Sequence, residues 1–254
     1  MNEIIMGDVV SALKQIPDES VDFIYTDPPF NTGDRQEDNR TGRSYLDKHN
    51  DYLGWCSDWL QECRRVLKKS GTIYVHLDDR EGYRVRAFCL DTIFGEQNYL
   101  STVIWAYDYG QRSKDRWPAK HDTIYVYAKE VGYHIFNVDA IDKLPYMSPP
   151  IRKGQTRSED GKMPTDVWWM SIVGTNSKER VGYPNQKPEQ LIKRAVLAAS
   201  NSGDVILDPF AGSGTTGAVA LELSRNFILI DSNQSAHDVM QKRFAGKNIT
   251  WTKI

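Results

Sequence analysis

The 254-residue sequence predicts an α/β protein, a mostly parallel sheet covered by helices. Three observations carry that expectation. Short apolar runs alternate with amphipathic stretches along most of the chain. A glycine-rich loop near the C-terminus joins an apolar run to a helical pattern. No repeat or low-complexity tract breaks the alternation.

Taken in order, the expected strands are Glu3–Met6, Asp22–Thr26, Thr72–Leu77, Ser101–Ala106, Thr123–Ala128, Asp204–Leu207 and Phe227–Ile230. The expected helices are Val9–Gln15, Asn50–Lys68, Arg80–Phe94, Pro188–Ala199, Thr216–Leu223 and Ser235–Phe244. In Asn50–Lys68, the residues Tyr52, Trp55, Trp59, Cys63, Val66 and Leu67 recur at spacings of three and four, which predicts one buried face. Two segments stand apart. Asn31–Asn50 is polar and long for a loop after a strand, as functional lids are, although disorder would give the same composition. Residues 131–182, with Pro145, Pro149, Pro150 and Pro164 and little periodicity, read as an insert. The organisation expected is therefore a core half over 1–130, the insert over 131–182 and a second core half over 183–254.

Composition narrows the function classes. Hydrophobic residues make up 40% and charged residues 26%, ordinary for a globular protein, and the net charge of −2 announces no polyanion partner globally. Basic residues cluster locally, at Arg112–Lys120 and Lys143–Lys162. Cys56, Cys63 and Cys89 are odd in number and form no Cys-x-x-Cys pair, so neither a disulfide framework nor a metal site is expected. No apolar run approaches the roughly 20 residues needed to cross a bilayer, and the opening residues lack a signal-peptide layout, so a cytoplasmic protein is expected.

Two motifs carry chemistry. In Asp204-Val-Ile-Leu-Asp-Pro-Phe-Ala-Gly-Ser-Gly-Thr-Thr-Gly, the glycines Gly212, Gly214 and Gly217 spell G-x-G-x-x-G between strand and helix. That spacing allows a tight turn, close ligand approach and a helix start with free N–H groups. Asp231 follows Gly212 by 19 residues, at a strand end where a carboxylate can accept from both ribose hydroxyls. A Walker loop is excluded by Ala218 and Val219. Only about 40 residues follow this loop, so the other strands must come from earlier in the chain. A common dehydrogenase would put its nucleotide half first, and the permuted order counts against nicotinamide chemistry.

The second motif is Asp27-Pro28-Pro29-Phe30, just past an apolar strand. The two prolines restrict the backbone and hold the Asp27 carboxylate and the Pro28 carbonyl as a rigid pair of acceptors. An exocyclic amine such as adenine N6 or cytosine N4 is a poor nucleophile because its lone pair is delocalised. Accepting both of its N–H groups draws the nitrogen toward sp³ geometry and aims the lone pair at a methyl donor. Phe30 offers a flat surface for a base taken out of the duplex. A rigid turn with Phe30 in the core is the plainer alternative, as a turn that binds nothing is for the glycine loop.

With both motifs in this order the chain resembles the β-group amino-methyltransferases of bacteria and their phages. The likeness extends to Gly7-Asp8, Val75-His-Leu-Asp-Asp, Lys120-His-Asp-Thr-Ile-Tyr-Val-Tyr and Tyr183-Pro-Asn-Gln-Lys-Pro, the last departing from the family's Pro-Thr-Gln-Lys-Pro at Asn185. The resemblance implies a Rossmann-like, seven-stranded, mostly parallel sheet with one reversed strand, circularly permuted, with an inserted target-recognition region. It implies S-adenosyl-L-methionine as cofactor and DNA as partner, with a homodimer as the default. By resemblance Asp8 would accept from the cofactor's adenine amine and Asp231 would hold its ribose. Phe210, Gly212 and Gly214 would line its methionine part, Lys187, Thr215 and Thr216 would meet its carboxylate, and Asp208 its ammonium. Arg112, Lys114, Arg116, Lys120, Arg152, Lys153 and Arg157 are the candidates for phosphate contacts. Trp168 and Trp169 are expected to pack the insert, with a place in the base stack as the alternative. Asp27 at the first motif position leans to adenine N6, and cytosine N4 stays open. Cytosine C5 chemistry lacks its Pro-Cys nucleophile. Methylation of RNA or protein, a non-catalytic DNA-binding module and a nicotinamide oxidoreductase are the remaining alternatives.

Overall fold

The computed structural model describes residues 2–110, 113–146, 158 and 161–254. The chain begins β1 (Glu3–Met6), α1 (Val9–Leu13), β2 (Val21–Thr26), the short β3 (Arg35–Glu37) and β4 (Ser44–Leu46), and α2 (Tyr52–Val66). It continues through β5 (Leu67–Leu77), α3 (Asp79–Val85), β6 (Tyr99–Ala106), β7 (His121–Ala128) and β8 (Val167–Trp169). It ends with α4 (Glu189–Ala199), β9 (Val205–Asp208), α5 (Thr215–Glu222), β10 (Asn226–Asp231), α6 (Gln234–Arg243) and β11 (Thr250–Lys253). All seven expected strands and all six expected helices are present, with α3 running on into a π-helical turn over Arg86–Gly95.

Among the described residues nine strands form one sheet in the order β11-β1-β10-β9-β2-β5-β7-β6-β8, and β3 and β4 pair apart from it. All pairings are parallel except those of β7 with β5 and β6, so β7 is the one reversed strand. The sheet exceeds the seven expected strands by its two edges. β8 spans three residues, too short for alternation to register, and the four residues of β11 are mostly exposed and polar; each pairs with one neighbour. β8 falls within 131–182, and through it that segment joins the sheet.

Helices cover both faces. Leu191, Ile192 and Ala195 of α4, Val219 and Ala220 of α5, and Val239 and Met240 of α6 pack on Phe23, Tyr25, Ile206, Phe227 and Leu229. On the other face, Ala12 and Leu13 of α1, Trp59, Leu60 and Cys63 of α2 and Val85 of α3 pack on Ile24, Ile73, Val75, Leu207 and Ile230. All six residues of β2 are buried, as expected for a central parallel strand. The three cysteines are buried and free. α2 buries Tyr52, Cys56, Trp59, Leu60, Cys63 and Val66, whereas Trp55 is only partly covered because it faces a cavity.

Neighbouring strands β2 and β9 send the chain to opposite faces. β2 leads to α2 on one side and β9 leads to α5 on the other. A crevice therefore opens at their C-terminal ends, the switch point where open α/β sheets bind ligands.

The segment 31–50 is ordered and arched over this crevice as the β3–β4 hairpin. Asp47 accepts from Asn31 N (2.7 Å), Asn31 Oδ1 accepts from His49 N (2.9 Å), and Asn31 takes a φ of +57°, a conformation asparagine tolerates. Buried Asp38 pairs with Arg180, and Thr41 Oγ1 donates to Gly182 O at 2.9 Å.

At the opposite end of β2, buried Asp22 accepts from Val205 N (2.9 Å) and from Lys68 Nζ (2.7 Å). Asp22→Ala leaves a part-buried N–H without its acceptor and is expected to lower stability by about 2–3 kcal/mol, against less than about 1 kcal/mol for Lys68→Met. Urea unfolding followed by circular dichroism measures both; equal effects would assign the loss to the charge pair rather than to the β2–β9 tie.

Candidate active site

A cavity of about 320 Å³ occupies the crevice. Its floor comes from the ends of β2 and β9, its flank from α2 and residues 183–187, and its roof from Tyr45, Leu46 and His49 of the lid hairpin. Asp8, Asp27, Lys187, Asp208, Phe210, Gly212, Thr215, Thr216 and Asp231 all line it, so residues up to 223 positions apart in the chain meet here.

The glycine loop does what its spacing required. Gly212 and Gly214 have φ values of +49° and +73°. A Cβ on Gly212 would meet the Tyr183 ring at 3.1 Å, and one on Gly214 would meet Met240 Cγ at 2.9 Å. Gly214 caps α5, whose first residues Thr215 and Thr216 are buried.

Each acidic side chain is held by specific donors. Asp231 accepts from Gly212 N through Oδ2 and from Asn233 N through Oδ1, both at 2.8 Å, and burial nevertheless raises its carboxyl. Asp208 accepts from Thr216 Oγ1 (2.6 Å) and Phe210 N (3.0 Å). Full burial pushes it up to about 7, against the lowering effect of those donors and with help from the charges of Asp27 and Asp231. Asp8 caps α1, accepting from Ser11 N and Oγ at 3.0 Å.

Lys187 stands apart from its expected neighbours. Its Nζ lies 2.5 Å from Asp27 Oδ2 and 5.3 Å from the centre of the Phe30 ring, while the Thr215 hydroxyl bonds Ser213 and that of Thr216 bonds Asp208. The second oxygen of Asp27, Oδ1, is buried and has no hydrogen-bond partner among the described residues. Pro28 is buried, and the Pro29 carbonyl accepts from the buried Tyr52 hydroxyl at 2.7 Å, which pins the motif onto α2. Phe30 is half-buried, 6.1 Å from the His76 ring, and is not among the cavity walls. Phe210 packs against Trp55 and Trp59, with ring centres 5.3 and 5.2 Å away.

Sequence reasoning missed several walls. Tyr45 stacks on Tyr183, and His49 lies flat on Trp55 with ring centres 4.0 Å apart. Burial lowers His49 below the ordinary imidazole range, against the pull of Asp47. Their signal was the lid-like length of 31–50, which named no residue. Asn185 takes φ +53°, and its Nδ2 donates to Gln36 Oε1 and to the Tyr45 hydroxyl at 3.2 Å. Its departure from threonine thus serves a left-handed turn and a latch on the lid.

Of the basic candidates, Lys114 is exposed, exposed Arg116 pairs with Asp115 at 3.2 Å, and Lys120 turns back to donate to Tyr109 O at 2.5 Å. Trp117, between them, is 95% exposed. Arg112, Arg152, Lys153 and Arg157 lie outside the described residues. Trp168 packs as expected, donating from Nε1 to Thr165 O, but Trp169 is 74% exposed. Among the described residues no cluster of side chains has the makings of a metal site.

Chemically, the cavity is acid-rich. Asp8, Asp27, Asp208 and Asp231 face it, and Lys187, the lysine on its wall, is already paired. A dinucleotide pyrophosphate would be repelled; a ligand carrying positive charge, ribose hydroxyls and a flat ring would be held.

The comparisons agree with this chemistry. The DNA methylase family for N6 and N4 amino methylation matches residues 21–242. DNA adenine methyltransferase YhdJ of Escherichia coli strain K12 is 36% identical over 241 residues, covering 91% of this chain and 78% of the relative. In fold, the chain resembles the cytosine-N4-specific PvuII DNA methyltransferase (TM-score 0.73, 19% identity, 98% of this chain and 89% of that one). It also resembles M1.HpyAVI in its complex with SAM (TM-score 0.66, 20% identity, 96% and 100%). A match over most of the chain, on a sheet whose switch point carries both motifs, leaves one conclusion: this protein belongs to the N6/N4 DNA methylase family.

Proposed function

We propose that the chain transfers a methyl group from S-adenosyl-L-methionine to N6 of an adenine taken out of duplex DNA. The observation that carries this reading is the Asp27 carboxylate, tied through Oδ2 to Lys187, with Oδ1 buried and without a partner among the described residues, beside an acid-lined cavity. A buried acceptor left empty is costly, and a substrate N–H would satisfy it.

The charge of the cavity fits the cofactor. Its sulfonium and ammonium outweigh its carboxylate, and Asp208 is the buried carboxyl suited to the ammonium. Asp231, at the end of β10, is suited to the ribose, with lone pairs left over from its two backbone donors. The N–H groups opening α5 favour the carboxylate. When bound, the cofactor supplies an electrophilic methyl on sulfur. The protein's own part is to fix the nucleophile. Asp27 Oδ1 and the Pro28 carbonyl accept the two N–H groups of the target amine, localise its lone pair and stabilise the positive charge that develops on nitrogen. Lys187 donates to Oδ2 and thereby orients the carboxylate. Phe30, outside the cavity walls, is suited to stack on the extruded ring.

Adenine is preferred because Asp27 opens the motif and because the relative YhdJ is an adenine methyltransferase. Cytosine N4 is the second reading, favoured by the likeness to the PvuII enzyme. Target recognition is assigned to the insert at 131–182 and the loop 107–120, and the absence of any long apolar helix among the described residues is consistent with a cytoplasmic site of action.

Mass spectrometry of nucleosides from DNA treated with the protein and cofactor is expected to find N6-methyladenine; N4-methylcytosine alone would select the second reading. Asp27→Ala is expected to lower methyl transfer by about a hundredfold or more while cofactor affinity stays within about threefold. Turnover near wild type would remove Asp27 from the chemistry.

Asp208 gives a pH signature. Its carboxyl is raised, so the ligand-free fold is favoured while it holds its proton, and that stability is lost as pH rises through about 7. Asp208→Asn is expected to raise the ligand-free Tm at pH 8 by a few degrees and to remove the wild-type decline between pH 5 and 8. Scanning calorimetry showing the same decline in the variant would deny the shift.

Neutralising Lys114, Arg116, Arg152, Lys153 and Arg157 together should weaken DNA binding and flatten its salt dependence, read by fluorescence anisotropy at several salt concentrations. An unchanged slope would move the DNA surface elsewhere.

A further inference from the structure

Beneath the acceptor motif a chain of hydrogen bonds crosses four strands. The Tyr25 hydroxyl on β2 meets His76 Nδ1 on β5 at 2.8 Å. His76 Nε2 meets Asp122 Oδ2 on β7 at 3.0 Å, and the Tyr107 hydroxyl, just past β6, donates to Asp122 Oδ1 at 3.1 Å. Tyr25 and His76 are buried, and none of these bonds is needed to close the sheet.

The chain has a direction. Burial acts to raise the Asp122 carboxyl, yet the hydrogen bonds from His76 and Tyr107 and the charge of Lys187 hold it below the ordinary range, so it stands as an acceptor. It takes hydrogens from His76 Nε2 and from Tyr107. In the tautomer this selects, His76 Nδ1 accepts, and the Tyr25 hydroxyl donates to it. The phenol oxygen then has only lone pairs left for its other side, and Tyr25 lines the cavity. The parallel register Ile24↔Leu207 brings Tyr25 level with Asp208, and Tyr25 precedes Asp27 by two residues on the same strand. Tyr25 thus feels the charges of both Asp27 and Asp208, the carboxylates suited to the target amine and to the cofactor's ammonium, and the sulfonium has to lie in the interval between those two.

We propose that Tyr25 is a cofactor-contacting residue that recognises the sulfonium centre, its oxygen turned lone-pair-outward to the cavity by the positioning pair His76 and Asp122. This rests on the reading of the cavity given above as the S-adenosyl-L-methionine site. Carbon-bound hydrogens next to a sulfonium are electron-poor and pair with an oxygen acceptor; a hydroxyl hydrogen aimed there would oppose them. The neutral thioether product, S-adenosylhomocysteine, has no such requirement. Tyr25 therefore favours the methyl donor over the spent cofactor, which limits product inhibition. Burial and the charges of Asp27 and Asp208 keep the phenol protonated and so able to donate to His76.

Titration calorimetry on the full chain with S-adenosyl-L-methionine and with S-adenosylhomocysteine tests this without turnover. Tyr25→Phe is expected to weaken the donor about fivefold and the product less than about twofold. His76→Leu, which frees the hydroxyl to turn into the cavity, is expected to give the same selective loss. His76→Asn, whose amide oxygen can stand where Nδ1 stood, is expected to restore at least half of it on a logarithmic scale. Asp122 loses its imidazole in both His76 variants, so their difference reads the acceptor alone. Equal weakening of both ligands by Tyr25→Phe, or none, would overturn the role of Tyr25. Leu and Asn behaving alike would overturn that of His76. If the His76 variants fail to fold, Tyr25→Phe decides by itself. Asp231→Ala serves as the control for the parent reading: unchanged affinity for both ligands would show that the cavity is not the cofactor site, an outcome distinct from an unselective Tyr25→Phe.

Discussion

Strands β2 and β9 lie side by side, and the chain leaving β2 turns to one face of the sheet while the chain leaving β9 turns to the other. The gap between them stays open at sheet level, beneath the lid hairpin. The backbone at both strand ends is left facing a crevice, and whatever side chains occupy those ends are presented to it together. Asp27 follows β2, Asp208 ends β9, and Asp231 ends β10 beside it. The concentration of carboxylates is thus a property of the sheet order, and it could be built only where a cationic ligand compensates the burial.

That concentration works against the stability of the empty fold. Asp208 is buried and Asp231 half-buried; both are raised by desolvation and rescued only in part by backbone and threonine donors. Lys187 neutralises Asp27 and leaves the others. A site destabilised when empty binds its cation with greater discrimination, because a neutral or anionic ligand gives no relief. The hydrogen-bonded chain from Tyr25 to Tyr107 belongs to the same design. It pairs its polar side chains with one another, and it fixes which side of a phenol faces the reacting atoms.

Much of this was legible in the sequence where it depends on neighbours along the chain. The glycine loop needed left-handed residues at Gly212 and Gly214 and contained them; Asp27-Pro-Pro-Phe was rigid by its own covalent geometry. The seven main strands and the buried face of α2 followed from periodicity. What depends on tertiary contact was not legible. The partner of Asp27 lies 160 residues away at Lys187, and resemblance had pointed that lysine at the cofactor carboxylate. Trp55 has the spacing of a core residue and stands at a cavity wall, since periodicity reports a face and not what covers it. Asn185 looked like the loss of a hydroxyl and proved to be a left-handed turn that fastens the lid. The edge strand β8 carries too few residues to declare a period, and β11 is mostly exposed and polar.

The position of β1 bears on how the protein comes to be made. Ile4 and Ile5 are buried, yet β1 touches only β10 and β11 within the sheet, with Glu3 level with Ile228 and Thr250. On the ribosome this strand therefore waits, unpaired and apolar, until β10 and β11 have emerged, while β2 and β5 are free to associate early. Pairings of such long sequence separation form slowly and leave a sticky edge exposed meanwhile. Closure of this side of the sheet is in this way bound to residues 226–253, and the cavity, which takes Asp231 from the end of β10, gains its full set of carboxylates only once that strand is in place.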